Sequence, residues 1–270
     1  MTLAIADMEQ LSAEAARVLT EAEPEFTAGL GAAEEVTKGI NDYATAVDLA
    51  LERRISAALT ERTGIAVHGE EYGGDDLGSG VMWVLDPIDG TANYSHHIPL
   101  AAINLALLVD GVPRAGLTWL PLLGERYVGL LGGPVRRNGA ELPRLASGGL
   151  RETVVAFGHV GFGNGPFPAA YRLAFLREVS RTAMRVRMIG ASALEFAWVA
   201  AGLFSAAVSF GNKAWDTAPG ACLVRAAGGV VTDLAGAPHE LRSDSMLAAR
   251  SGAAEELREL LAGLGDPASY

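Results

Sequence analysis

Two aspartates stand three residues apart in the stretch Val84-Leu85-Asp86-Pro87-Ile88-Asp89-Gly90-Thr91-Ala92-Asn93. The apolar run 81–85 before them reads as a buried strand. Pro87 is expected to stop that strand, and Gly90 to free the backbone for a tight turn. Hard carboxylate oxygens at a strand end suit a divalent cation of the Mg²⁺ type. The N–H groups of Gly90 and Thr91 would suit an anion, such as a phosphate, beside it. Asp, Pro and Gly are also common turn residues, so this stretch alone reads more often as a solvated turn. Other acids shift the balance. Glu70 and Glu71 follow a short strand at 65–68, and Asp216 follows Trp215 at the start of a helix. Glu70, Asp86, Asp89, Asp216 and the Ile88 carbonyl offer oxygens only. The five histidines form no H-E-x-x-H, and His96-His97 reads as surface polarity. This donor set favours Mg²⁺ over Zn²⁺.

The elements that must carry these groups are legible from periodicity. Residues 3–22 carry Leu11, Ala15, Val18 and Leu19 at helical spacing, and Pro24 is expected to end that helix. Residues 26–37 read as a broken helix or loop, and 38–43 as a loop. Thr45, with Asp48 three residues on, resembles a capping box for a helix buried through Val47, Leu51, Ile55 and Leu59 and ended by Thr63-Gly64. Strands at 103–109, 115–120 and 126–131 are punctuated by Asp110-Gly111, Pro121 and Gly132-Gly133-Pro134, which suggests an antiparallel meander. Asn138-Gly139 is a further hairpin signal. From 153 onward strands and helices alternate: strands at 153–157, 185–189, 206–210, 230–233 and 246–249. Helices fall at 171–182, 192–201, 215–227 and 253–264. The helix 171–182 is expected to turn Leu173, Leu176 and Val179 inward. A glycine-rich loop (Gly158, Gly161, Gly163, Gly165) follows the first of these strands. Alternation of this kind argues an α/β half. The boundary is placed at 143–150, giving an N-terminal α+β half, 1–145, with most of the metal ligands. The C-terminal α/β half, 146–270, carries Asp216 and the substrate-side segments.

Composition excludes several classes. The 270 residues carry a net charge of -11, which argues against a nucleic-acid partner but not against a small phosphorylated substrate. One cysteine, Cys222, permits no internal disulfide and fits a reducing cytoplasm. No signal peptide and no membrane-spanning run is read in the sequence.

Gly69-Glu70-Glu71, Asp86-Pro87-Ile88-Asp89-Gly90-Thr91-Ala92-Asn93 and Trp215-Asp216-Thr217-Ala218-Pro219-Gly220, in that order, resemble the inositol monophosphatase superfamily. Residues 41–48 and Gly228-Gly229 match its other elements. The resemblance covers nearly the whole chain and implies an α/β (α+β) fold. The expected form is a layered αβαβα sandwich of the inositol monophosphatase / fructose-1,6-bisphosphatase type. It implies a Mg²⁺-dependent phosphomonoesterase with two to three ions. By this resemblance Glu70, Asp86 and the Ile88 carbonyl hold the first Mg²⁺, and Asp86, Asp89 and Asp216 a second. A third would sit near Glu70. A metal-activated water would be the nucleophile. Glu70 and Thr91 would orient and deprotonate it, with Asp48 behind Thr91. Asp89, Gly90, Thr91, Ser192, Ser209 and Asp216 would contact substrate. Lys38 falls in the loop that resembles the family's mobile, metal-proximal loop. Family members are often dimers, so a homodimer is permitted.

The sequence departs from the pattern on the leaving-group side. Members specific for inositol phosphate carry a glutamate seven residues before the W-D aspartate, where this chain has Ser209, followed by Phe210-Gly211-Asn212-Lys213. A site built to bond a hydroxyl discriminates through that group. Pro219 replaces a common alanine at a position expected to tolerate proline. An inositol-1-phosphate-like monoester is the leading expectation. Histidinol-phosphate, fructose 1,6-bisphosphate and 3′-phosphoadenosine nucleotides are the alternatives. A non-catalytic relative, or a dinucleotide-binding oxidoreductase suggested by the glycines after residue 157, is more remote.

Overall fold

The computed structural model describes residues 4–39, 42–161 and 165–270. The expected features at Leu3, Ile40, Asn41 and Gly163, and the side chain of Asp42, lie outside the described residues. Among the described residues, two sheets and six of the seven α-helices stack in five layers. In the first layer α1 (Ile5–Ala28) and α2 (Ala46–Thr63) pack on each other, joined by the hairpin β1 (Glu34–Gly39) and β2 (Asp42–Thr45). Residues 26–43 were expected to be irregular; instead α1 continues to Ala28 and the hairpin follows, with Val36 on it exposed. Helix α1 also runs through Pro24. Phe26, fully buried beyond the proline, holds the last turn in the core, and Arg54 Nη2 donates to the Glu21 carbonyl in the turn that Pro24 weakens, at 2.6 Å. Helix α2 starts as its cap chemistry dictates: Thr45 Oγ1 accepts from the Val47 and Asp48 N–H groups, and Asp48 Oδ2 accepts from Thr45 N–H. Gly64 ends it in the left-handed conformation.

The second layer is a seven-stranded sheet. Its strands run in chain order: β3 (Val67–Gly69), β4 (Val81–Asp89), β5 (Ala102–Val109), β6 (Val112–Leu120), β7 (Glu125–Leu130), β8 (Val135–Arg137) and β9 (Ala140–Glu141). The short α3 (Thr91–Ser95) lies between β4 and β5. Strand β3 is parallel to β4, and the rest form the expected antiparallel meander. Pro87 does not stop β4. It falls where the β4–β5 register slips, between Asp86 and Asp89, so the ladder needs no N–H from it. Alternation along the strands feeds two cores. Trp83, Leu85, Ile103, Leu105 and Leu107 face α1 and α2, whereas Val84, Ala106 and Leu108 meet Ala214 and Ala218.

The C-terminal half adds β10 (Val154–Phe157), α4 (Ala169–Thr182), β11 (Arg185–Arg187), α5 (Ser192–Ala200), β12 (Phe204–Ser209), α6 (Ala214–Ala226), β13 (Val230–Thr232), β14 (Met246–Ala249) and α7 (Ser251–Leu264). Its mixed five-stranded sheet has the order β11-β10-β12-β14-β13. Helices α5 and α6 form the middle layer, whose core joins Leu120, Tyr127 and Val135 of the first sheet to Ala207, Met246 and Ala248 of the second. Helices α4 and α7 cover the far face. In α4 the buried stripe is Tyr171, Phe175 and Val179, and Leu173 is exposed rather than inward. The helix presents 171, 175 and 179 four residues apart, which turns 173 away. Among the described residues, no helix is long and apolar enough to cross a membrane.

Candidate active site

Three chain segments converge where β3 and β4 end and α6 begins. Glu70 lies in the turn after β3, and its N–H donates to the Leu85 carbonyl of β4 at 3.1 Å. That bond sets Glu70 against Asp86, the next residue of β4. Asp86 is buried, and its Oδ1 accepts the Ile88 N–H at 2.9 Å, which shapes the turn. Asp216 is in the first turn of α6, where the helix dipole favours an acid. One carboxylate oxygen each of Glu70, Asp86 and Asp216 lies within 4.8 Å of the others. Burial, and then the charges of Glu70, Asp89, Asp216 and Asp48, push the Asp86 carboxyl well above its ordinary range. Carboxylates crowded at this range, Asp86 buried and Glu70 and Asp216 half-buried, suit a cation, and an all-oxygen set fits Mg²⁺.

The other expected residues surround this cluster. Thr91 Oγ1 lies 3.0 Å from the Ile88 carbonyl and 3.4 Å from Asp48 Oδ1, so Asp48 stands behind Thr91. Gly90 has φ 85°, and a Cβ there would approach Ala191 Cβ and the Leu100 carbonyl to 2.9 Å. Only glycine fits both demands. Asp89 is turned toward the start of α5: its Oδ1 accepts from Ser192 Oγ at 3.1 Å and its Oδ2 from Ala193 N–H at 2.9 Å. Burial raises its pKa, opposed by these two bonds. Ser209 Oγ is engaged with the Gly211 carbonyl of its own loop at 3.0 Å. Lys38 Nζ meets Glu71 Oε1 at 2.6 Å and Glu70 Oε1 at 3.0 Å, while Lys213 Nζ lies 3.7 Å from Glu70 Oε1. Glu71 is still pushed up to about 7, because burial outweighs Lys38. His96 and His97 are exposed.

Sequence reasoning missed two supporting residues. Asn104, fully buried on β5 opposite Asp86, donates through Nδ2 to the Trp215 carbonyl at 2.9 Å and the Asp216 carbonyl at 3.2 Å. Its Oδ1 is held by Thr118 Oγ1 at 2.8 Å. Pro219, expected at a position that tolerates proline, lies inside α6 past its first turn and leaves the Trp215 carbonyl without its helical donor. Asn104 replaces that donor. A lone amide in the apolar run 102–109 was the available signal. The second is Glu52, one turn after Asp48 on the buried face of α2.

A layered sandwich with an acidic, all-oxygen cluster beside a glycine turn fits a class, the metal-dependent phosphoric monoester hydrolases. Residues 2–264 match the model of the inositol monophosphatase family. The inositol-1-monophosphatase ImpA of Mycolicibacterium smegmatis is 50% identical over 261 residues, covering 96% of this chain and 95% of that protein. The probable inositol 1-monophosphatase ImpA of Mycobacterium tuberculosis is 48% identical, with 95% and 96% covered. Inositol monophosphatase-II of Staphylococcus aureus superposes with a TM-score of 0.81 at 25% identity, covering 96% of each chain. The chain belongs to the inositol monophosphatase family.

Proposed function

We propose that this enzyme hydrolyses an inositol-1-phosphate-like monoester of a small polyol or sugar, using two to three Mg²⁺ ions. The carrying observation is the trio Glu70, Asp86 and Asp216, with oxygens within 4.8 Å of one another beside Gly90 and Thr91. The two ImpA relatives, named as inositol monophosphatases, and a staphylococcal structure of the fold with inositol monophosphate bound support the substrate class. Glu70, Asp86, Asp89, Asp216 and the Ile88 carbonyl would hold the ions. Bound Mg²⁺ supplies the positive charge that activates a water and neutralises the phosphate. The chain's own groups do the rest. The N–H groups of Gly90 and Thr91 orient the phosphate. Glu70 and the Thr91 hydroxyl, backed by Asp48, take the proton of the attacking water. Ser192, Ser209 and Asp216 face the leaving group. The lone, buried Cys222 supports a cytoplasmic setting, and the exposed Met184 and Met188 at the β11 edge support a homodimer.

A second reading rests on Ser209 and Lys213. A serine stands where inositol-specific members place a glutamate, and a lysine lies near Glu70. This favours a leaving group with an anionic or differently shaped rim, as in histidinol-phosphate, fructose 1,6-bisphosphate or 3′-phosphoadenosine nucleotides. Phosphate release from a panel of these esters, with Mg²⁺ and with a chelator, separates the readings. Under the leading reading, inositol 1-phosphate has the highest kcat/KM, and S209E raises its margin over the anionic esters. Release that continues unchanged in chelator would overturn both.

A further inference from the structure

The turn that carries Glu70 is held from behind by a buried acid. Every backbone N–H from Gly69 to Tyr72 is hydrogen-bonded. Gly69 N–H donates to the Gly73 carbonyl at 3.0 Å, and Glu70 N–H to the Leu85 carbonyl at 3.1 Å. Glu71 N–H donates to Glu52 Oε2 at 2.8 Å and Tyr72 N–H to Glu52 Oε1 at 2.9 Å. Glu52 thus grips two successive amides with its two oxygens, and it is only 2% exposed. A Cβ at Gly69 would overlap the Glu52 carboxylate, so the glycine makes room for the grip.

Placing a carboxylate here is costly. Glu70, Glu71 and Asp48 are already nearby, and burial disfavours the charged form. Glutamine has nearly the same shape and no charge, but it has one acceptor oxygen and an NH₂ group. It would set a donor against one of the two amides. Only a carboxylate accepts both. Helix α2 therefore addresses the site twice from one face: Asp48 reaches Thr91, and Glu52, one turn on, reaches the Glu70 turn.

We propose that Glu52 is a positioning residue for cation binding, fixing the Glu70 turn so that the Glu70 carboxylate points at Asp86 and Asp216. This rests on the reading of Glu70 as a metal ligand. Without the grip, the turn is set by the Leu85 bond and by the salt bridges from Lys38 to Glu70 and Glu71, which draw both acids toward the hairpin. Groups that orient a metal ligand from behind typically control affinity by about ten- to a hundredfold.

The experiment compares E52Q, E52D and E70Q with the wild-type full chain. It reads Mn²⁺ affinity by electron paramagnetic resonance, thermal midpoint in chelator, and hydrogen exchange at the Glu71 and Tyr72 amides. E52Q is expected to bind Mn²⁺ about ten- to a hundredfold more weakly and to exchange faster at those two amides. Its Mn²⁺ loss should persist at temperatures well below its own midpoint. E52D, which keeps both oxygens on a shorter arm, should recover part of the affinity and provides the test if E52Q does not fold. If E70Q weakens Mn²⁺ binding but neither Glu52 variant does, the Glu52 proposal is wrong. If E70Q itself binds Mn²⁺ as the wild type does, the reading of Glu70 as a ligand fails instead.

Discussion

Replacing Asp86 by asparagine should inactivate the enzyme and, in the absence of metal, make it more stable. Asp86 is about 1% exposed, and its oxygen lies within 4.8 Å of one oxygen each of Glu70 and Asp216. At that distance, with an effective dielectric of about 20, each ionised pair repels by about 3.5 kcal/mol. Part of this is relieved, because Lys38 and Lys213 lie 3.0 and 3.7 Å from Glu70 and because one acid can take up a proton. About 2 kcal/mol of strain on Asp86 is a reasonable remainder at pH 8. Asparagine keeps the Oδ1 that accepts the Ile88 N–H, so the turn is preserved while the charge is removed. In chelator at pH 8, D86N should therefore melt about 3–4 °C higher than the wild type. Mg²⁺ should then raise the wild-type midpoint and leave D86N almost unmoved. Phosphate release should fall about a thousandfold or more, the loss of several kcal/mol of charge stabilisation. Paired melts by circular dichroism, with and without Mg²⁺, make the comparison. A D86N midpoint in chelator equal to or below that of the wild type would refute the idea that the carboxylates are held together under repulsion. A midpoint that still climbs with Mg²⁺ would refute Asp86 as a ligand.

The metal-free protein should lose stability steadily as pH rises from about 5 to 8. Folded Glu195 titrates at about 8 and Glu71 at about 7, both raised by burial from an ordinary 4.5, so across that window the fold binds more protons than the unfolded chain and stability falls as pH rises. His239 is pushed down to about 4 by burial from 6.5, so its own contribution has the opposite slope between those values, but one histidine offsets only part of what the two acids lose. Urea titrations in chelator from pH 5 to 9 should trace this fall, and a stability that rises steadily to pH 8 would contradict it. Gly90→Ala forces a side chain into φ 85° and against Ala191 and Leu100; it should cost about 1–3 kcal/mol in the same assay and lower activity further than the stability loss explains.

Much of the site's chemistry was legible in the chain. Asp86, Asp89, Gly90 and Thr91 are adjacent, and a turn at the end of an apolar strand needs only local rules. The Thr45–Asp48 cap, the meander and the left-handed turns at Asp110-Gly111 and Asn138-Gly139 are local in the same way, and the structure shows them. Tertiary packing decided the rest. Pro24 and Pro87 interrupt local patterns, yet α1 continues because Phe26 is buried and Arg54 supplies a donor, and β4 continues because its register slips at the proline. Leu173 points outward because the face that α4 buries depends on what it packs against. Most of all, Glu52 and Asn104 are ordinary letters in a helix and a strand. Their roles exist only because folding brings a turn and a helix end, distant in sequence, within hydrogen-bonding reach of them in a dry interior, where an unpaired amide or carbonyl is costly.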